Sequence, residues 1–156
     1  MEPFIRAGIP VVGLDGCAQL IQDTESCTPK VAERMSTCDL RAPGWWRPWT
    51  VSGGWDLVLC VEVAEHLEEQ HAAELVRGLC RLGDRVFFSS ARVGQKGLSH
   101  VNCQPKRYWI DLFEAEGFGL RMDWWRQWHD QLKHRGKRYG ANIRRNAVFF
   151  SRRANR

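Results

Sequence analysis

A chain of 156 residues and 18.1 kDa has the size of one domain and is long enough to bury a core. Its 44% apolar and 26% charged residues exclude a disordered chain, and no run of about 18 apolar residues is present to cross a membrane. The net charge of +5 is uneven: residues 121–156 hold eleven Lys and Arg against Asp123 and Asp130, net +9, whereas residues 1–120 are net −4. A basic tail after an acidic body points either to a polyanionic partner, nucleic acid included, or to a solvated Arg-rich edge. The start, MEPFIRAGIP, lacks the features of a secretory signal. Six cysteines without a C-x-x-C pair argue against a disulfide framework or a structural zinc site. Cys38, Cys60 and Cys80 sit in apolar or periodic segments and read as buried hydrophobes. Together these features predict a reducing, cytoplasmic compartment.

In chain order, Ile9–Asp15 reads as a short buried strand ending on an acid. Gly16 turns the chain, Cys17–Gln22 makes one or two helical turns, and residues 23–30 form a loop. Lys30–Cys38 is a weaker strand that runs into Asp39 and Leu40. Residues 41–50 form a Pro/Gly/Trp loop. Trp55–Val61 is apolar on both faces, as central parallel strands are. A helix over 69–82 follows from Ala72, Leu75, Val76, Leu79 and Leu82, with Gly83 as terminator. Arg85–Ser90 is the next strand, and a loop runs from Ala91 to Cys103. Pro105 opens a helix whose apolar face is Tyr108, Trp109, Leu112 and Phe113, ended by Gly117. Leu120–Gln127 and Arg144–Ser151 read as two strands forming an antiparallel hairpin at a sheet edge, joined by the basic segment Trp128–Ile143. The alternation predicts one α/β domain with a mainly parallel sheet.

In such sheets ligands bind outside the carboxyl ends of the strands. Asp15 is placed to accept two hydrogen bonds from a ribose diol. Asp39 and Leu40 can read an adenine edge, and Cys60–Glu62 can floor the same cleft. Strand-end acids also simply cap the next helix. Glu62, Glu65 and His66 stand at i, i+3 and i+4, on one face if the segment is helical. Such a face can hold a divalent cation such as Mg²⁺ or Mn²⁺ or supply a general base. A helix N-terminus that favours acids accounts for the same pattern. His100, after the strand ending at Ser90, falls on the same rim.

Val12–Asp15, Cys38–Leu40, Trp55–His66, Gly97–Trp109 and Arg144–Phe150 together resemble class I S-adenosylmethionine-dependent methyltransferases over nearly the whole chain. The resemblance implies a Rossmann-like, seven-stranded sheet, mainly parallel with an antiparallel C-terminal strand. It implies a cofactor site at Asp15, Gly16, Asp39, Leu40, Cys60 and Val61. The Glu-x-x-Glu-His pattern is similar to metal-assisted O-methyltransferases. It implies cation ligands Glu62, Glu65, His66 and His100, catalytic roles for Glu62, His66 and His100, and a hydroxyl-bearing substrate. The family's glycine-rich loop and first βα unit have no counterpart, so the chain reads as truncated. A non-catalytic remnant, a partner chain or second copy that supplies the missing wall, and a compact substitute formed by residues 1–8 all stay open. Trp124, Trp125 and Trp128 beside the basic tail are candidates for an interaction surface.

Overall fold

A computed structural model describes residues 1–132 and 141–154. The chain divides into two compact units, Met1–Trp45 and Trp46–Arg156.

The first unit contains helix α1 (Glu2–Arg6), strand β1 (Gly13–Asp15), helices α2 (Ala18–Cys27) and α3 (Pro29–Ala32), and strand β2 (Met35–Thr37). β1 and β2 pair in parallel, with Gly13 opposite Met35 and Asp15 opposite Thr37. The strand expected over 9–15 is confined to its last three residues. Pro10 lacks the N–H a ladder needs. The loop expected over 23–30 is instead largely helical. Thr24 and Ser26 turn their hydroxyls back onto the carbonyls of Leu20 and Gln22, which lets polar residues remain inside a helix. Pro29 then starts α3, a position where its missing N–H costs nothing, and this shortens the strand expected over 30–38. Residues 2–6 form a helix and not an added strand. A Cβ at Gly13 would collide with the Met1 side chain, so glycine allows the chain start to lie against β1. Trp45 is the one buried residue of this unit.

The second unit is built on a four-stranded sheet in the order β3-β4-β6-β5. Its strands are β3 (Val58–Val61), β4 (Arg85–Ser89), β5 (Phe118–Leu120) and β6 (Val148–Arg152). β3 and β4 run parallel, and β6 is antiparallel to both β4 and β5. Helices α4 (Ala72–Leu82) and α5 (Lys106–Ala115) match the expected ones. Leu75, Val76 and Leu79 of α4 are buried together with Val58, Cys60, Val86 and Phe88. Phe88 meets Trp109 and Phe113 of α5, and Phe113 stacks on Phe150 with ring centroids 4.0 Å apart. Gly83 is extended, so no left-handed turn demands glycine there. A Cβ would run into the Trp55 carbonyl, and close approach is the reason for glycine.

Three expectations change here. Of Leu120–Gln127 only Leu120 lies in a strand, at the end of β5, and helix α6 covers Met122–Leu132. Its Trp125 stacks on His129 one turn later, and Trp128 packs edge-on against Phe87 and Phe149. A run of large aromatics satisfies a helical period as well as a strand period, and i, i+4 stacking selects the helix. Residues 141–146 form helix α7, and β6 begins at Val148. The antiparallel pairing expected at a sheet edge is present between β5 and β6, with β5 at the edge and β6 an inner strand. Finally, β3 is not covered on both faces. Leu57 and Leu59 are 45% and 47% exposed, and β4 is the only described strand that pairs with β3. The described residues thus form six strands in two sheets and not one sheet of seven. No helix among them is long and apolar enough to cross a membrane.

Candidate functional site

β3 ends at Val61, and Glu62 follows in a left-handed conformation with φ 52°. That conformation is uncommon for a residue with a Cβ. It is held by the Glu62 N–H, which donates to the Ser89 carbonyl at 2.9 Å. The short 3₁₀ turn Ala64–His66 begins only afterwards. Glu62 therefore does not share a helical face with Glu65 and His66. Its carboxylate accepts hydrogen bonds from Asn146 Nδ2 at 3.2 and 3.3 Å and from Gln95 Nε2 at 3.4 Å.

Glu65, His66 and His100 do come together. Each offers one donor atom, and the three lie within 4.8 Å of one another. Glu65 is fully buried, and neither carboxylate oxygen has a hydrogen-bond partner. The Glu65 main-chain carbonyl accepts from the N–H groups of Val101 and Asn102 at 2.8 and 3.1 Å, which ties the 3₁₀ turn to the loop carrying His100. The two imidazoles meet edge to face at 5.1 Å. His66 Nδ1 lies 3.2 Å from the Ser99 carbonyl and His100 Nδ1 lies 3.1 Å from the Gln95 carbonyl. A carbonyl only accepts, so in neutral rings Nδ1 carries the hydrogen and Nε2 keeps its lone pair. The His100 ring rests on Gly97, where a Cβ would overlap it.

A buried carboxylate without partners is costly, and a cation between it and two oriented imidazoles removes that cost. The donor set thus fits a divalent ion. Two nitrogens and one oxygen suit Mn²⁺ or another first-row ion better than Mg²⁺, which prefers oxygen. The surroundings of the cysteines nearby disfavour the thiolate. Burial first, and then the Glu65 carboxylate, push the Cys60 thiol up to about 12. The same two causes raise Cys103, whose Sγ lies 3.7 Å from His100 Nδ1.

The cofactor residues expected from the sequence divide between the units. Asp15 ends β1, half-buried, and its Oδ1 accepts from the Cys17 N–H at 2.8 Å. Gly16 follows without a positive φ, and a Cβ there would make only an ordinary contact. Asp39 pairs with Arg41 through both carboxylate oxygens, and Leu40 is half-buried beside it. Cys60 and Val61 close β3 in the second unit, buried and half-buried respectively. Cys60 and Cys80 are buried as expected, but Cys38 is only half-buried.

Of the basic residues in the tail that points to a polyanionic partner, Lys133, Arg135, Lys137 and Arg138 lie outside the described residues. Arg144 and Arg145 stand on α7. Trp124, Trp125 and Trp128 are half-buried, and Arg121 lies over the Trp124 ring at 4.0 Å. An open groove of about 470 Å³, lined by Asp56, Arg85, Trp124 and Trp128 among others, lies at the amino ends of β3 and β4. That is the opposite end of β3 and β4 from Glu65. Sequence reasoning missed Asn146 and Gln95. Both are amides without a motif, and Asn146 lies 84 residues from the Glu62 it contacts.

No protein-family model matches the chain, and no curated protein does. Solved structures do. Magnesium protoporphyrin IX methyltransferase from Synechocystis PCC 6803 with bound SAH is 17% identical, with a TM-score of 0.64 over 97% of this chain and 68% of that one. For the same enzyme with bound SAM the chain spans 63% of its length. The [4+2]-cyclase SpnF is 9% identical, with a TM-score of 0.61 over 99% of this chain and 72% of that one. A SAM-dependent methyltransferase from Archaeoglobus fulgidus is 18% identical, with a TM-score of 0.60 over 77% of this chain and 56% of that one. At these identities the likeness speaks to fold, and the fold of this chain is that of the class I S-adenosylmethionine-dependent methyltransferases.

Proposed function

We propose that the chain binds S-adenosylmethionine and transfers its methyl group to a hydroxyl with the help of a divalent cation. The observation that carries this reading is the buried, unpartnered Glu65 carboxylate beside two imidazoles held through Nδ1. Glu65, His66 and His100 hold the ion. A bound cation supplies positive charge that lowers the pKa of the accepting hydroxyl. The imidazoles would hold the ion through Nε2, since Nδ1 of each faces a backbone carbonyl. The backbone bonds from Ser99 and Gln95 keep the rings oriented, so alignment does not depend on the substrate. Without a cation, His66 is the general base: it is exposed, and an imidazole nitrogen can accept the hydroxyl proton.

Support for the cofactor comes from the fold and from neighbours solved with SAM or SAH bound. Asp15 is then the acceptor for the ribose diol, with Asp39 and Leu40 at the adenine. Calorimetric titration with SAH, with and without Mn²⁺, tests the reading. Micromolar binding that releases heat is expected, and no binding at millimolar SAH sinks it.

A second reading rests on the exposed Leu57 and Leu59 and the unpaired side of β3 among the described strands. An apolar strand edge is an association site unless covered. In this reading the chain is a binding or scaffold protein completed by a partner chain or a second copy. Sedimentation velocity of the wild type and of Leu59→Lys separates the two. A concentration-dependent complex lost in Leu59→Lys supports it, and a monomer in both excludes self-association.

A further inference from the structure

Four residues within one short span of sequence and one distant loop were candidates for a single ligand set, and the structure divides them. Glu65, His66 and His100 converge. Glu62 is taken by a different group. Asn146 is 3% exposed, and its Nδ2 donates to both Glu62 carboxylate oxygens and to Gln95 Oε1 at 3.0 Å. The amide cannot be turned over, because its carbonyl would then face the carboxylate. Gln95 works in two directions. Its side chain donates to Glu62, and its main-chain carbonyl accepts from His100. One residue therefore fixes a cation ligand and restrains the neighbouring carboxylate.

Backbone geometry favours the same division. The left-handed turn at Glu62 separates its side chain from the 3₁₀ turn that presents Glu65 and His66. Drawing Glu62 toward the ion would strip the buried Asn146 donor of its carboxylate contacts, an unfavourable change in a low-dielectric setting.

We propose that Asn146 and Gln95 hold Glu62 out of the cation's ligand set, which consists of Glu65, His66 and His100. Asn146 and Gln95 are positioning residues, and the inference rests on the cation reading above. Three protein ligands leave coordination positions open, as catalytic sites do and closed structural sites do not. A fourth ligand from Glu62 would reduce that opening and add negative charge against the hydroxyl that is to be deprotonated.

The test is calorimetric titration of the full chain with Mn²⁺ alone. Glu62→Gln keeps the size and one acceptor oxygen while removing the charge, and its dissociation constant stays within about three-fold of wild type. Glu65→Gln weakens binding by more than about thirty-fold, beyond the lower range for outer partners of a metal site. Releasing the restraint has the opposite sign. Asn146→Leu frees Glu62 to join the ion and tightens Mn²⁺ binding by about three- to ten-fold, and adding Glu62→Gln removes the gain. Should Asn146→Leu fail to fold, Gln95→Ala gives a smaller gain of the same sign, since it removes one of the contacts on Glu62 and keeps the main-chain carbonyl that orients His100. Weakening by Glu62→Gln as large as by Glu65→Gln overturns the assignment. No Mn²⁺ binding by the wild type overturns the cation reading itself, whatever Glu62→Gln does.

Discussion

The two units hold their polar groups in opposite ways. In Met1–Trp45 the acids are satisfied locally: Asp15 by the Cys17 N–H and Asp39 by Arg41, both two residues away. Little of that unit is buried, and its strands are three residues long. In Trp46–Arg156 an aromatic core is closed by residues far apart in sequence, and at the carboxyl end of β3 and β4 buried polar atoms are left without partners. Glu65 contributes both oxygens, and Ser90, Asn102 and Asn146 one atom each. A folded chain tolerates such atoms where a ligand will meet them, because the packing around them supplies the offsetting stability. Short-range satisfaction in the first unit needs no partner. The second unit leaves its set without such local satisfaction.

The comparison breaks first if the second unit does not carry the stability. Phe113→Ala removes a ring with no exposure that stacks on Phe150. Urea unfolding should show a loss of about 3–5 kcal/mol. The half-buried Leu14 of β1 should lose less than half as much on truncation. Equal losses would place the core elsewhere.

Alkali is the next lever. Burial is the first cause that pushes Cys60 and Cys80 up to about 12 from 9. Between pH 9 and 12 both thiols stay protonated in the folded chain and ionise when it unfolds. Stability is therefore whole below pH 9 and falls as pH rises, by up to about 1.4 kcal/mol per pH unit for each thiol. Cys60→Ala should flatten the slope of unfolding free energy against pH. An unchanged slope would show that Cys60 ionises alike in both states.

Glu65 sets stability against binding. Replacing an unpartnered buried carboxylate by an apolar side chain of similar size is neutral or favourable. Glu65→Leu should raise cation-free stability by about 1–3 kcal/mol and abolish Mn²⁺ binding. A lower melting temperature for Glu65→Leu would mean that the carboxylate is already paired.

The smallest effect belongs to the first unit. The Asp39–Arg41 pair is about half exposed on both sides, so Asp39→Asn should change stability by less than about 1 kcal/mol. If Asp39 serves the cofactor, SAH affinity falls by far more than stability does. Parallel small changes in both would leave Asp39 as a local ion pair.

Much of the fold was legible in the sequence because its signals are local. The apolar run through Val58–Val61, the period of Leu75, Val76 and Leu79, and the Pro105 and Gly117 limits of α5 each lie within a window of about ten residues. The misread segments are those where two periods fit the same residues. Trp124, Trp125 and Trp128 satisfy strand and helix alike, and only their packing on Phe87, Phe149 and His129 decides. Thr24 and Ser26 look like loop residues until their hydroxyls turn back on the helix.

The candidate site was half legible. Sequence alone put Glu65 and His66 together and set His100 on the same rim, since strand order and direction carry residues to the carboxyl ends. It also determined the α/β class and the uneven charge. Only the tertiary structure detached Glu62 from that set and brought Asn146 and Gln95 to it. A left-handed φ at Glu62 takes that residue out of the helical spacing its sequence position suggests. Hydrogen bonds across 33 and 84 residues depend on strand pairing, which no local pattern records.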